Sequence, residues 1–407
     1  MSDNQGLNIG VPKSNSYLTT STLLLMAIAT GLCAGANYFN QPLLNSIALS
    51  LGVSEGLAAT TVTLSQVAYA VGLLFLVPLG DKLEQRGLAV GLMLIAAAGL
   101  LISGYAHNFS MLLLGTLITG LFSVAAQTLV PMAANLSDPQ RSGRAVGLVM
   151  SGLLAGILLA RTAAGLLSEV DGWTTVYRVT AVLMLVLAAT LWVILPKARN
   201  PHPKSYAATL KSLLALAITY PRLRSRAILG GLVFGSVSVL FSTMALLLSG
   251  PGYHLSDSQI GLVGLLGIGG VITANLAGRL ADRGRGQVVS TFALVLLLLG
   301  WLGLYLGLGN LWLFLLPLLL LDIALPAIHI SNQSVIYRLA PEAKARVNAV
   351  YMTVYFVGAA SGSALGAAAW SHGGWGATCA TGMVLGALAW LVLIYDQRLL
   401  KREVKGR

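Results

Sequence analysis

Four residues in one long apolar segment, residues 311–338, carry the most informative chemistry of this sequence. Asp322 lies near the middle of the segment, and Pro326, His329 and Gln333 follow at spacings that place them all on one helix face. A charge at the centre of a membrane-spanning helix costs about 2.5–3.5 kcal/mol on insertion scales. A carboxylate at that depth therefore indicates a water-filled cavity, an ion partner or a proton to be moved.

We predict that Arg161 and His329 act together with Asp322 in proton coupling. Arg161 lies deep within another apolar segment, and a base at such a position is a functional candidate. Burial and a nearby arginine act in opposite directions on a carboxyl proton, so a changing distance between Asp322 and Arg161 would load and release it. His329, about 10 Å farther along the helix, suits a proton relay. The alternatives are a charge pair that only orders the helices, and a histidine bonded to a backbone carbonyl.

Neutral polar residues in other apolar segments form a second group of candidates. Amides and hydroxyls at helical spacing line a substrate cavity or join neighbouring helices by hydrogen bonds, which contribute about 0.6 kcal/mol each on average. Both roles stay open for this group. The predicted substrate-binding residues are Asn37, Asn40, Gln41, Gln66, Tyr69, Ser123, Gln127 and Gln333.

The elements that must position these residues follow from the composition. The chain has 407 residues, of which 56% are hydrophobic and only 9% charged. Runs of roughly 20 apolar residues, each long enough to cross a bilayer, recur along its whole length. We therefore predict an all-α integral membrane protein with twelve transmembrane helices. The predicted spans, numbered in chain order, are 18–46, 57–79, 88–106, 110–134, 144–168, 173–195, 227–249, 258–278, 288–306, 311–338, 346–370 and 375–395.

The basic residues predict the orientation of these spans. With a cytoplasmic N-terminus, the Lys and Arg residues fall on the cytoplasmic side, apart from Arg161 and Arg178 within spans. The loops on the opposite side contain acidic residues but no base. The positive-inside rule then places both termini in the cytoplasm. This distribution accounts for the net charge of +12 without a nucleic-acid partner.

A long basic loop divides the spans into two sets of six. Arg144 and Met150 in the first set recur as Arg346 and Met352 at the same offset in the second. Two repeated bundles with a substrate site between them are the architecture of a rocking transporter. The predicted divisions are an N-terminal tail at 1–17, a first six-helix bundle at 18–195, a linker at 196–226, a second bundle at 227–395 and a C-terminal tail at 396–407.

The loops after the second and eighth spans carry a related signature. The second copy contains Gly278, Asp282 and Arg283, and the first keeps Asp81 and Arg86. With twelve spans and a basic central loop, this signature makes the chain similar to the major facilitator superfamily, and within it to the bacterial proton-driven efflux branch of drug and metabolite exporters. Where that branch has an arginine in the fourth span, this chain has Thr116 and Thr119.

The resemblance implies a conformational latch, in which the loop aspartate caps the N-terminus of the eleventh span near Arg346. A carboxylate is stabilised there by unpaired backbone amides and by the helix dipole. The predicted latch residues are Asp81, Arg86, Gly278, Asp282, Arg283 and Arg346.

The sequence thus predicts a transporter of the bacterial inner membrane that exports a small organic solute in exchange for protons. A proton-coupled importer of a sugar or nucleoside would use the same fold, and a transporter-like membrane sensor is a more distant alternative. The sequence contains no arrangement of nucleophiles or metal ligands that would predict an enzyme. It also contains no Walker-type loop, so we do not expect ATP to be the energy source. We expect no cofactor or metal, a monomer, and a small-molecule substrate, protons and the lipid bilayer as partners.

Overall fold

The computed structural model describes residues 18–138, 141–199 and 205–405. Within these ranges the regular structure is helical throughout. Ten of the described helices are long and apolar enough to cross a membrane. The predicted all-α membrane architecture is therefore confirmed.

The N-terminal half, spans one to six, consists of helices joined by short connections, with the linker helix Tyr206–Thr219 behind them. Their bounds are Thr20–Gly35 and Leu44–Leu51 for the first span, Glu55–Phe75 for the second, Gln85–Gly104 for the third, Phe109–Phe122 and Ala125–Asn135 for the fourth, Ser142–Asp171 for the fifth, and Thr175–Ile194 for the sixth.

The C-terminal half, spans seven to twelve, repeats this arrangement. Its helices are Pro221–Phe241 and Met244–Ser249 for the seventh span, Asp257–Val263 and Ile268–Leu280 for the eighth, Gly286–Leu306 for the ninth, Leu311–Leu339 for the tenth, and the run Lys344–Lys405 for the eleventh and twelfth together.

Three departures from the predicted spans have local causes. The first span is broken by a turn and the 3₁₀ helix Gln41–Leu43, in which Pro42 lacks the N–H that a continuous helix requires. The eleventh and twelfth spans run together through Gly374, whose φ of 58° and ψ of −148° suit glycine alone. The seventh helix begins at Pro221, inside the predicted linker 196–226, so Arg222 and Arg226 lie in a helix and not in a loop.

Glycines bring helices of the same half into backbone contact. A Cβ atom on Gly156 of the fifth span would overlap the backbone of Gly31 in the first span. In the other half, a Cβ atom on Gly358 of the eleventh span would overlap the backbone of Gly231 in the seventh. Small residues allow such close approach where apolar attraction between helices is weak. The first and fifth spans, like the seventh and eleventh, therefore pack as a tight pair.

A buried ionic cluster, which the sequence does not reveal, fastens four spans of the C-terminal half. The side chains of Arg226 and Asp396 are fully buried and lie 2.6 Å apart, between Arg226 Nη2 and Asp396 Oδ2. Ser225 and Gln287 donate to the same carboxylate at 2.6 and 3.0 Å. Arg226 also donates to Asn332 Oδ1 at 3.2 Å. The seventh, ninth, tenth and twelfth spans thus share one hydrogen-bonded network.

Several hydrogen bonds between the two halves lie at the end opposite the linker, which we term the closed end. Ser46 donates to Asp257 at 2.5 Å, and Trp370 Nε1 donates to Glu55 at 2.7 Å. Thr162 Oγ1 donates to the carbonyl of Gly261 at 2.9 Å. These contacts join the first span to the eighth, the second to the eleventh, and the fifth to the eighth.

Replacement of Gly156 by leucine is expected to lower the thermal unfolding midpoint in detergent. The new side chain would collide with the backbone of Gly31, and overpacking of this kind costs about 1–3 kcal/mol or more. Gly147→Leu is the matched control, because this glycine lies in the same helix and a Cβ atom added to it would meet no other atom within 4 Å. Equal midpoints for the two variants would contradict the packing argument.

Asp396→Asn is expected to destabilise the protein by about 3–5 kcal/mol, because it leaves the buried charge of Arg226 without a counterion. The control is Asp171→Asn, which breaks an exposed pair with Arg178 whose aspartate side chain is 71% exposed. Exposed pairs contribute about 0–1 kcal/mol. Chemical unfolding in mild detergent measures the free energy of unfolding of both variants. An equal loss of free energy in Asp171→Asn and Asp396→Asn would refute the stabilising role of the buried pair.

Candidate functional site

A cavity of about 450 Å³ lies between the two halves. Its wall includes the three predicted proton-coupling residues, Arg161, Asp322 and His329. It extends from Arg161, well inside the fifth span, toward Tyr337 and Asn348 near the end that carries the linker. Four of the predicted substrate-binding residues also line it, namely Asn37, Tyr69, Gln127 and Gln333.

Arg161 is held rigidly from one side. Its Nε donates to Gln41 Oε1 at 2.7 Å, and its guanidinium carbon lies 3.7 Å from the ring centre of Phe241. The ring of Tyr38 is 5.4 Å away, so both rings offer cation–π attraction. The side chain of Gln41 is absent from the cavity wall. The role of Gln41 here is to orient Arg161. The spacing of polar residues in the first span could not distinguish this role from direct contact with a substrate.

Asp322 faces the cavity on the tenth span. Among the described residues, its carboxylate has no hydrogen-bond partner and forms no ion pair with Arg161 within 4.0 Å. The two opposite charges nevertheless interact electrostatically. The direct charge pair considered as an alternative is therefore not present in this conformation. The eighth span approaches closely here, because a Cβ atom on Gly270 would overlap the backbone carbonyl of Asp322.

His329 is bonded to a side chain and not to a backbone carbonyl. Its Nδ1 lies 3.1 Å from the hydroxyl oxygen of Tyr351, which accepts a 3.5 Å hydrogen bond from Asn332 Nδ2. If the hydroxyl donates its proton to Nδ1, the ring proton of the neutral imidazole is on Nε2. Asn332 also accepts from Arg226, so the histidine is connected to the buried ionic cluster.

The other predicted substrate-binding residues make contacts between or within helices. Asn40 donates to Thr61 at 3.1 Å, and Ser123 donates to the carbonyl of Thr119 at 2.6 Å. Gln66 bridges the halves, since it accepts from Ser363 of the eleventh span at 3.1 Å. None of the three, like Gln41, lines the cavity. For these residues the structure favours the helix-joining role.

The polar residues that do line the cavity are tied to neighbours. Gln127 Nε2 donates to the hydroxyl of Tyr69 at 3.3 Å, across the second and fourth spans. Gln333 Nε2 donates to Asn348 Oδ1 at 3.2 Å, across the tenth and eleventh. Each amide keeps polar atoms that have no hydrogen-bond partner among the described residues. These hydrogen bonds hold the lining side chains in place without a ligand, and their remaining polar atoms are able to bind polar groups of a solute.

A wall of aromatic rings, which the sequence reasoning missed, completes the cavity. Tyr69 and Phe356 have ring centres 4.5 Å apart, Phe356 and Phe234 5.4 Å, and Phe234 and Tyr355 4.3 Å. Tyr355 lies 4.8 Å from the ring of His329. The run from Tyr351 to Phe356 in the eleventh span was the available signal, because it places three aromatic residues within two helical turns.

The loop after the second span, where the sequence predicts latch residues, is attached to the sixth span. Arg86 Nη1 donates to the carbonyls of Trp192 and Leu195 at 3.1 and 3.2 Å. Glu84 caps the third span. Burial acts to raise the pKa of its carboxyl group, but the backbone N–H groups of Gly87, Arg86 and Ala198 outweigh burial and lower that pKa below its usual value. This loop is fixed within the N-terminal half and the start of the linker.

The remaining latch residues are placed less completely. The side chains of Asp81 and Asp282 lie outside the described residues. Gly278 lies against Ile330 of the tenth span. Arg283 is exposed, and Arg346 is half-buried at the start of the eleventh span. A contact between a loop aspartate and the eleventh span therefore stays a prediction.

Comparison with known proteins agrees with this geometry. The model of the Major Facilitator Superfamily matches residues 26–285 and 227–407. The chain is similar to an uncharacterized Escherichia coli transporter, YgaY, with 46% identity over 380 residues that cover 93% of this chain and 96% of the relative. A "probable transporter" of Streptomyces coelicolor is 35% identical over 377 residues, which cover 91% of this chain and 85% of that protein.

Among solved structures, the fold resembles that of a bacterial homolog of the human lysosomal transporter Spinster, in an inward-facing and occupied conformation. The TM-score is 0.70 at 15% identity, and the match covers 93% of this chain and 97% of that one. At this identity the likeness concerns the fold alone.

The family match and the two sequence relatives show that the chain belongs to the Major Facilitator Superfamily and is a multi-pass membrane transporter, not an enzyme.

Proposed function

We propose that the chain is a secondary active exporter, which moves a small organic solute out of the cell in exchange for protons. The observation that carries this proposal is the carboxylate of Asp322, which faces the cavity without a partner among the described residues. An ionisable group in that position is costly, so its retention is explained by a proton or a solute group that binds there.

At Asp322, the proton and a solute group that binds the carboxylate compete for the same oxygen atoms. Protonation removes the negative charge and releases the solute, whereas loss of the proton restores the solute site. Because each occupant excludes the other, the two are carried in opposite directions across the membrane. A proton gradient directed into the cell then drives the solute outward.

Arg161 and His329 assist this exchange. The positive charge of Arg161 acts on the Asp322 carboxylate across the cavity, so its distance from Asp322 controls how firmly the proton is held. His329 offers a second titratable group on the same helix face, toward the end that carries the linker. Its hydrogen bond to Tyr351 fixes the ring for a relay between Asp322 and that end of the cavity.

The distribution of bases supports an orientation with both termini in the cytoplasm of a bacterial cell. The closed end would then face outward, and the cavity would load solute from the cytoplasm. Rocking of the bundle 18–195 against the bundle 227–395 exchanges the two openings. We place the latch of the outward-facing state at Asp81 and Asp282. One chain contains the whole cavity, which suits a monomer.

Proton-coupled import is the second candidate, and one observation favours it. Arg161 lines the cavity, and no acceptor among the described residues bonds its terminal nitrogens. A solute anion would bind these nitrogens best when Asp322 is protonated and neutral. Proton and solute would then bind together and travel in the same direction. The direction of proton flow relative to solute flow therefore separates the two functions.

Asp322→Asn is expected to abolish solute-driven proton movement in liposomes that contain the purified protein and a pH-sensitive dye. The amide cannot carry the proton, yet it preserves the size of the side chain, so solute binding by other groups persists. A panel of drugs, sugars, amino acids and nucleosides supplies the solutes. Asp171→Asn, at an exposed position, is the control that retains wild-type flux.

Three outcomes decide this test. Proton release from the liposome that accompanies solute uptake, and is lost in Asp322→Asn alone, supports exchange at this carboxylate. Proton and solute movement in the same direction would replace export with the import mechanism. Undiminished proton flux in Asp322→Asn would refute Asp322 as the proton site.

A further inference from the structure

The guanidinium of Arg161 is fixed by one edge and free at the other. Its Nε is bonded to Gln41, and Phe241 covers one face of the group. Among the described residues, no acceptor bonds its two terminal nitrogens, although the side chain is only 9% exposed. Arg161 is one of the residues that line the cavity. A rigid guanidinium that presents two parallel N–H donors is suited to bind a carboxylate in bidentate fashion.

The carboxylate of Asp322 is the complementary free group. It also lies at the cavity wall and has no partner among the described residues. An ammonium group has only donors and binds such a carboxylate directly. The cavity therefore presents one unsatisfied positive charge and one unsatisfied negative charge, more than 4.0 Å apart.

Exchange with protons restricts which solutes fit this pair of charges. A solute with only a carboxylate would bind Arg161 better once Asp322 is protonated, which produces co-transport and not exchange. A solute with only an ammonium group would leave the buried charge of Arg161 without a counterion, which is costly. A solute with both groups satisfies both charges. Protonation of Asp322 then removes the partner of its ammonium group and releases it.

The rest of the wall indicates the third part of the solute. Tyr69, Phe234, Tyr355 and Phe356 form a continuous aromatic surface in the wall of the same cavity. Rings of this kind stack on planar apolar groups. The volume of about 450 Å³ suits a small molecule and lies at the low end of the range for ligand pockets.

We propose that the transported solute is a small zwitterion with a planar apolar group, which has the chemistry of an aromatic amino acid. Its carboxylate binds the terminal nitrogens of Arg161, its ammonium group binds Asp322, and its ring packs on the aromatic wall. This assignment rests on the proposed proton exchange at Asp322, and it specifies the class of solute that the exchange carries.

The test compares three probes that differ by one charged group. Phenylalanine has both groups, phenethylamine lacks the carboxylate, and 3-phenylpropionate lacks the ammonium group. We expect the full-length wild-type protein in detergent to bind phenylalanine about tenfold or more tightly than either analogue, as measured by calorimetry, because each analogue loses one charge-assisted contact. This comparison requires no variant and so does not depend on the folding of a mutant.

Two variants then assign each charge. Arg161→Gln is expected to bind phenylalanine no more tightly than phenethylamine. Asp322→Asn is expected to bind phenylalanine no more tightly than 3-phenylpropionate. Asp171→Asn is the control that retains both preferences. Loss of all binding in one variant, with an unfolded thermal profile, leaves the wild-type comparison as the deciding result.

The outcomes separate this inference from the proposed exchange. Equal or tighter binding of phenethylamine or 3-phenylpropionate overturns the zwitterion, as does the absence of phenylalanine binding at millimolar concentration. If the amine alone drives proton exchange that Asp322→Asn abolishes, the solute class is wrong but the exchange stands. If 3-phenylpropionate moves together with protons, both proposals fail.

Discussion

The separation of two opposite charges in the cavity is the constraint on which the rest of the structure depends. In contact, Arg161 and Asp322 would neutralise each other and leave little reason for a ligand to bind. Gln41 and Phe241 hold the guanidinium on its far side. The eighth span comes close to both residues, since a Cβ atom on Gly264 would lie 3.2 Å from Cβ of Arg161 and one on Gly270 would overlap the carbonyl of Asp322. Two glycines of this one span, Gly264 and Gly270, thus bring the two charges to one cavity without joining them.

The C-terminal half also contains buried charges in the opposite arrangement, paired directly with each other. Arg226 and Asp396 are fully buried, in direct contact and surrounded by further donors and acceptors. A pair that is satisfied in this way has no capacity left for a solute and stabilises the packing of its helices. The two environments meet through Asn332 and Tyr351, which connect the satisfied pair to His329 in the cavity wall. The cavity histidine is therefore anchored to the buried ionic cluster of the C-terminal half.

The sequence was sufficient for the fold and for the charges in the cavity. Apolar runs of bilayer length predict the helices, and Asp322, Arg161 and His329 stand out because a charge in such a run needs an explanation. The neutral residues were less predictable. Asn40, Gln41, Gln66 and Ser123 share helix faces with polar neighbours, yet the break near Pro42 and the rotation of each helix decide which of them reach the cavity. Contacts between distant segments were also beyond the reach of the sequence. In the sequence, Arg226 resembles one more cytoplasmic base of the predicted linker 196–226. In the structure, the helix begins already at Pro221 and places Arg226 inside the bundle, where it contacts Asp396 from the other end of that half.

Two types of contact hold the helices together, namely close glycine packing and side-chain hydrogen bonds. Within each half, glycines place backbones in contact, as at Gly31 and Gly156, and such surfaces lose their packing if the helices part. Between the halves at the closed end, hydroxyl and indole groups bind carboxylates, as in the pairs of Ser46 with Asp257 and Trp370 with Glu55. Bonds of this kind are exchanged for bonds to water when they open, at a net cost of about 0.5–1.5 kcal/mol each, somewhat more where a carboxylate is involved. Glycines also join the halves there, since a Cβ atom on Gly165 of the fifth span would overlap the backbone carbonyl of Asp257 in the eighth. The closed end therefore combines exchangeable hydrogen bonds with close backbone packing of the fifth span on the eighth.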